Sequence, residues 1–176
     1  MSKKISIIGG SGFLGLNLSR EFYRRGFDIM IYDLKKPKLN FNFIYKKGDV
    51  LDLKNLVKFT KDSDYLINLS GIAEINYSRT NYMKTINHNV LGTLNTLEAC
   101  KINRIKNYAF SSTIYVYSKQ GSFYKSSKQS AECIIQEFCK TFEINFKILR
   151  YGSLYGSGAQ KWNGIKKYVI EILKNR

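Results

Sequence analysis

Apolar positions along this chain follow two rhythms. Short runs rich in Ile, Val, Tyr, Phe and Leu fall at Lys4–Gly9, Asp28–Asp33, Phe43–Lys46, Tyr65–Ser70, Asn107–Ser111 and Phe146–Arg150. Runs of this kind read as strands buried on both faces. Between them lie segments with apolar residues three and four apart. These predict helices over Phe13–Arg25, Leu53–Thr60, Tyr82–Lys101, Tyr124–Phe142 and Gly164–Lys174. Leu14, Leu18 and Phe22 form one such stripe, suited to packing on a sheet. Strand and helix alternate throughout, so the prediction is an α/β fold with a doubly wound parallel sheet and helices on both faces. A single proline and no linker-like stretch leave one domain over residues 1–176.

The first strand runs into Gly9-Gly10-Ser11-Gly12-Phe13-Leu14-Gly15. In a strand–turn–helix setting each glycine has a physical task. Gly9 permits the tight turn, Gly12 lets a pyrophosphate approach the backbone, and Gly15 lets helix and strand pack closely. Amides at the helix start, including those of Phe13 and Leu14, then face the phosphates with the helix dipole behind them. The turn makes the fold Rossmann-like and the ligand a dinucleotide. Asp33 ends the second strand, 18 residues after Gly15. A carboxylate there accepts the adenosine ribose hydroxyls and repels a 2′-phosphate, so NAD is the expected cofactor.

A second constellation follows a strand that ends in Ser111-Ser112-Thr113. Tyr124 and Lys128 are four apart and share one face of a predicted helix. A free tyrosine, with a pKa near ~10, is a poor base at neutral pH. A neighbouring ammonium favours the phenolate, so Lys128 is expected to lower the Tyr124 pKa. Lys128 also has the reach to bind ribose hydroxyls, and a strand-end hydroxyl can hold a substrate carbonyl or alcohol.

Composition adjusts this picture little. The chain of 176 residues is 44% hydrophobic and 14% aromatic, which excludes disorder as its main state. Its 29 Lys and Arg against 13 Asp and Glu give a net charge of +16. Lysines outnumber arginines 22 to 7 and are scattered, and the longest basic stretch is Lys35-Lys36-Pro37-Lys38. That pattern is a solvated surface that attracts anionic ligands such as nucleotides, and no nucleic-acid partner is expected. No window nears the ~18 consecutive apolar residues of a membrane helix, and Ile5–Ile8 is too short for a signal peptide. Cys100, Cys133 and Cys139 are an odd number without metal-ligand spacing, which favours a reduced, cytoplasmic protein. Cys133 and Cys139 are expected to be packing residues on different sides of one helix. The chain's one histidine, His88, has no second histidine or carboxylate cluster to make a metal site.

Taken in order, these motifs resemble the extended short-chain dehydrogenase/reductase family, in particular the NAD-dependent epimerase/dehydratase group that acts on nucleotide sugars. The resemblance covers nearly the whole chain. It implies that Asp49, in Gly48-Asp49-Val50-Leu51-Asp52, contacts the adenine amino group while Val50 packs by the ring. It implies that Leu69, Ser70 and Gly71 pass beneath the cofactor, that His88 touches it, and that Asn89 supports the active site. Thr113 takes the place of the catalytic Ser or Thr, Tyr124 that of the base, and Lys128 that of its helper. Leu149-Arg150-Tyr151-Gly152-Ser153-Leu154-Tyr155-Gly156 resembles the segment leading to the substrate region. The implied chemistry is hydride transfer between NAD and a nucleotide-sugar-like substrate, followed by epimerisation, dehydration or reduction. A homodimer through the helices holding Asn89 and Tyr124 is also implied.

The chain departs from the family pattern in three places. Only six residues separate Tyr117 from Tyr124, where the family carries a longer loop. Gly152-Ser153 replaces an aromatic–Asn pair. Only 20 residues follow Gly156, so the substrate lobe is expected to be absent or only begun at 157–176. The alternative function is therefore an NAD-binding fragment, or half of a split enzyme, completed by a C-terminal fragment.

Overall fold

The computed structural model describes residues 2–160 and 163–174. Six strands form one parallel sheet: β1 (Lys4–Ile8), β2 (Asp28–Asp33), β3 (Ile44–Lys47), β4 (Tyr65–Asn68), β5 (Asn107–Thr113) and β6 (Asn145–Tyr151). Their order across the sheet is β3-β2-β1-β4-β5-β6. The chain therefore winds one way from β1 and then the other way from β4, leaving a crevice between the C-terminal ends of β1 and β4. Ile5 pairs with Ile29 on one side and with Tyr65 on the other.

Each face of the sheet has its own core. On one face Ile8, Tyr32, Leu66, Leu97, Phe110 and Ile135 join the helices α2 (Leu53–Thr60), α5 (Gly92–Ile102) and α6 (Ser122–Thr141). On the other, Ile5, Ile7, Ile29, Ile31 and Ile67 meet Phe22 of α1 (Phe13–Arg24) and the aromatics Phe27, Phe41 and Phe43. The α1 stripe expected at Leu14, Leu18 and Phe22 is half-buried. The line pressed hardest on the sheet is Gly15 and Ser19, because small residues let the helix come close.

The strands lie where the apolar runs predict, with one consequential extension. β5 continues to Thr113 and pairs Thr113 with Tyr151. The expected helix over Tyr82–Lys101 is interrupted. It divides into α4 (Tyr82–Ile86), a π-helical turn (Asn87–Leu91) and α5. A further helix, α3 (Ile75–Thr80), occupies a segment too polar to show an apolar period. α6 starts two residues before Tyr124, after Gly121 at φ 108°. α7 (Gly164–Lys174) keeps Tyr168, Ile172 and Leu173 exposed. The expected start of a substrate lobe at 157–176 includes residues 161–162 and 175–176, which lie outside the described residues. Among the described residues no helix is long and apolar enough to cross a membrane.

Candidate active site at the sheet's switch point

A cleft of about 1150 Å³ opens at the C-terminal edge of the sheet. The β1–α1 turn forms its floor. Gly9 sits at φ +78°, and a Cβ there would lie 2.7 Å from Ser70 N. A Cβ on Gly15 would lie 2.5 Å from the carbonyl oxygen of Gly10. Gly12 is open towards the cleft, with nothing nearer than 3.6 Å to its Cβ position. Gly12 is also the N-cap of α1 and supplies no side-chain cap, so the first-turn amides are not taken by a capping side chain.

The carboxylate of Asp33 closes one end. Its Oδ2 accepts the Ser11 amide at 2.9 Å and its Oδ1 the Lys35 amide at 3.1 Å. Each oxygen keeps a lone pair for a further donor. Next to it the Asp49 carboxylate accepts the Leu51 amide at 3.0 Å, and Val50 is buried against Gly92. His88 Nε2 stands 3.8 Å from Asp49 Oδ2, while its Nδ1 meets the Lys84 carbonyl at 2.9 Å.

The β4 end is held by two buried asparagines. Asn68 donates to Thr93, Thr96 and Tyr108, and its Oδ1 accepts from both Ser70 N and Ser70 Oγ. Asn89 Oδ1 accepts the Ile72 amide at 2.7 Å, and its Nδ2 donates to the Ile72 carbonyl and to Ser127 Oγ. From the π-turn, which admits an extra residue per turn, Asn89 thus bonds the β4 loop and α6 together.

Tyr124 and Thr113, the latter at the end of β5, line the cleft together. Burial holds the Tyr124 phenol above its ordinary pKa, and nearby Thr113 opposes that only in part. The expected lowering by Lys128 is therefore not seen. The Lys128 ammonium instead donates to the Ser111 carbonyl at 2.8 Å and lies 4.5 Å from the Phe110 ring centre. Burial pulls its pKa down from 10.5 to about 8, against the attraction of Glu132.

Every site residue predicted from the sequence lines this one cleft except Lys128. Lys128 lies beneath it, close to where a Cβ on Gly71 would stand. One residue escaped the sequence reading. Glu132 is buried and accepts from Ser112 Oγ at 2.5 Å and from Arg150 Nη2 at 2.6 Å. The available signal was its spacing, four residues after Lys128 and eight after Tyr124 on the same helical stripe. Cys139 is buried as expected, but Cys133 is exposed: its turn of α6 faces away from the sheet. Among the described residues no group of three or more His, Cys, Asp or Glu is placed to hold a metal.

The residues present suit a dinucleotide. The turn is open at Gly12, the helix start lacks a side-chain cap, and a carboxylate stands at the end of β2. The chain is similar to known proteins of matching architecture. It is 28% identical to the dTDP-D-glucose 4,6-dehydratase of Dictyostelium discoideum, over 99% of this chain and 49% of that protein. The UDP-N-acetylglucosamine 4-epimerase of Methanobrevibacter ruminantium M1 superposes with a TM-score of 0.88 at 26% identity, covering 99% of this chain and 64% of that one. The UDP-glucuronic acid 4-epimerase of Bacillus cereus, solved in complex with NAD, has a TM-score of 0.85 at 23% identity, over 98% of this chain and 64% of that one, and shares its fold. The chain spans about half the length of these curated relatives, the GDP-mannose 3,5-epimerase 1 of Oryza sativa subsp. indica included. A family model covers residues 5–175, so the chain belongs to the NAD dependent epimerase/dehydratase family, whose cofactor is the one the glycine turn and Asp33 predict.

Proposed function

We propose that residues 1–176 form the NAD-binding domain of an epimerase/dehydratase-type enzyme acting on a nucleotide sugar. Tyr124 is its acid–base group. The observation that carries this reading is the meeting of Thr113 and Tyr124 with the glycine turn in one switch-point cleft. In this reading Gly9, Gly12, Phe13, Leu14 and Gly15 hold the pyrophosphate, and Asp33 takes the adenosine ribose. Asp49, Val50 and His88 border the adenine, and Leu69, Ser70 and Gly71 run beneath. NAD, when bound, supplies the hydride acceptor.

The chain's own groups move the proton. Thr113 fixes the substrate oxygen beside the Tyr124 hydroxyl. The phenol, held protonated by burial, is suited to donating to a developing alkoxide. It accepts a proton in the opposite direction when positive charge nearby stabilises the phenolate. An ammonium has three donors, and Ser111 uses one of those on Lys128. The other two serve the ribose hydroxyls.

The test combines NAD titration by calorimetry with turnover of UDP-, dTDP- and GDP-hexoses. Tyr124→Phe should abolish turnover and leave NAD affinity within about twofold. A fully active Tyr124→Phe protein would overturn the assignment. A second reading rests on length and exposure. The chain spans about half of its relatives, and α7 exposes Tyr168, Ile172 and Leu173. In that reading the chain binds NAD without turnover until a C-terminal fragment is added. Tyr82, Met83, Leu91 and Leu94, on α4, the π-turn and α5, are also exposed and support a homodimer through the helices holding Asn89 and Tyr124. Sedimentation at several concentrations distinguishes these states.

A further inference from the structure

Below the Tyr124–Thr113 pair lies a charged cluster with no part in the scheme above. Glu132 projects from α6 one turn beyond Lys128. Its Oε1 accepts from Ser112 Oγ at 2.5 Å and from Arg150 Nε at 3.0 Å. Its Oε2 accepts from Arg150 Nε at 3.1 Å and Nη2 at 2.6 Å. The Glu132 side chain is 9% exposed and that of Arg150 35%. Arg150 also hydrogen-bonds the hydroxyl of Tyr117 and lies over its ring. One carboxylate therefore ties together α6, β5 and β6 at the level where Thr113 and Lys128 are set. Ser112 precedes Thr113 in the chain, and Ser111, which holds the Lys128 ammonium, precedes Ser112.

A carboxylate spent only on joining strands has cheaper solutions, because a buried ion pair is readily replaced by apolar packing. Its position one helical turn from the buried Lys128, with no direct ion pair between them, gives it a further effect through space. The groups facing Lys128 are few. On α6 they are Tyr124 and Glu132, and on β5 the Phe110 ring and the Ser111 carbonyl. From the β4 side come Gly71 and Asn89, which are uncharged. Arg150 on β6 reaches Lys128 only through Glu132. Glu132 is thus the anion among them that offsets desolvation of the ammonium.

We propose that Glu132, clamped by Ser112 and Arg150, is a positioning residue that keeps Lys128 charged and aimed at the cofactor ribose. The proposal rests on the reading of Lys128 given above. Its first test does not need the cofactor. The Lys128 titration is followed by NMR of lysine labelled at Cε, in the unsubstituted chain and in Glu132→Gln. The midpoint should fall by about one pH unit. If only the charged ammonium binds well, a midpoint moving from about 8 to about 7 weakens NAD binding about eightfold at pH 8.5. At pH 6.5 the loss is less than about 1.5-fold. Glu132→Asp should restore most of the affinity at pH 8.5. Should Glu132→Gln fold poorly, Glu132→Gln with Arg150→Met removes both charges and should lower the midpoint in the same direction. An unmoved midpoint, or an NAD loss equal at both pH values, overturns the proposal. If Lys128→Met binds NAD as well as the unsubstituted chain, the reading of Lys128 fails, while the NMR titration still decides whether Glu132 holds the charge.

Discussion

Replacing Lys128 by Met measures what the buried ammonium costs the fold. Lys128 is 5% exposed, and its pKa falls from 10.5 to about 8 on burial. At about 1.36 kcal/mol per pH unit, holding the charged form in place costs about 3 kcal/mol. Methionine keeps most of the stem's packing and carries no charge. It also leaves the Ser111 carbonyl without its 2.8 Å donor, a loss of about 1 kcal/mol. Lys128→Met should therefore be more stable by about 2 kcal/mol at pH 7. The pH dependence fixes the cause. Below pH 8 both folded and unfolded chains hold the proton, and the cost is present in full. Between about 8 and 10.5 the unfolded chain still holds a proton that the folded chain has released. Stability of the unsubstituted chain rises across that window relative to the variant. The advantage of Lys128→Met should shrink above pH 8 and change sign by about pH 10. Urea unfolding followed by circular dichroism at pH 7, 8.5 and 10, with both proteins side by side, cancels the other lysines and tyrosines. A variant less stable at pH 7, or a difference constant from pH 7 to 10, would refute the reasoning.

Other perturbations probe the cleft and core. Gly9→Ala meets both a positive φ and a contact of 2.7 Å with Ser70 N, so it should lose about 2 kcal/mol or more in a thermal melt and bind NAD poorly in calorimetry. Asn89→Ala removes the bonds to Ile72 and Ser127. It should cost about 3 kcal/mol and speed hydrogen exchange at the Ile72 amide ahead of the rest of the sheet. Leu66 is fully buried in β4, and Leu66→Ala should cost about 3 kcal/mol by urea unfolding, with no local exchange signature at the β4 loop.

Residues that act through their neighbours in sequence were legible without coordinates. The turn at Gly9, Gly12 and Gly15 has one geometry in which its spacing makes sense, and the β2 terminus at Asp33 follows from the same unit. Parallel strands buried on both faces leave apolar runs, so β1, β2 and β4 were readable to within a residue or two. The π-turn was not, and the partners that its Asn89 side chain reaches, Ile72 and Ser127, lie 17 and 38 residues away. α3 was hidden by a polar sequence whose helix depends on what surrounds it. The Tyr124 pKa went the other way for a similar reason. Spacing places Lys128 on the same face, but only packing shows its ammonium turned to Ser111. Glu132 and Arg150 are far apart in the chain, and their joining follows from the pairing of β5 with β6. The pairing of Glu132 with Arg150 therefore leaves no local sequence mark.

The sheet order also sets when the cleft can come into being. β1 precedes the other five strands in the chain and lies with β4 at the middle of the sheet. Its partner on one side begins at Asp28, but on the other it pairs with Tyr65–Asn68, some 60 residues later. Gly9 takes its shape against the backbone of Ser70. The glycine turn at residues 9–15 therefore acquires its wall only after β4 has emerged and docked. Folding is governed by non-local parallel pairings, which form slowly compared with helical contacts. A nascent chain paused before Ser70 would carry the glycine turn in sequence and yet present no wall for a cofactor to lie against.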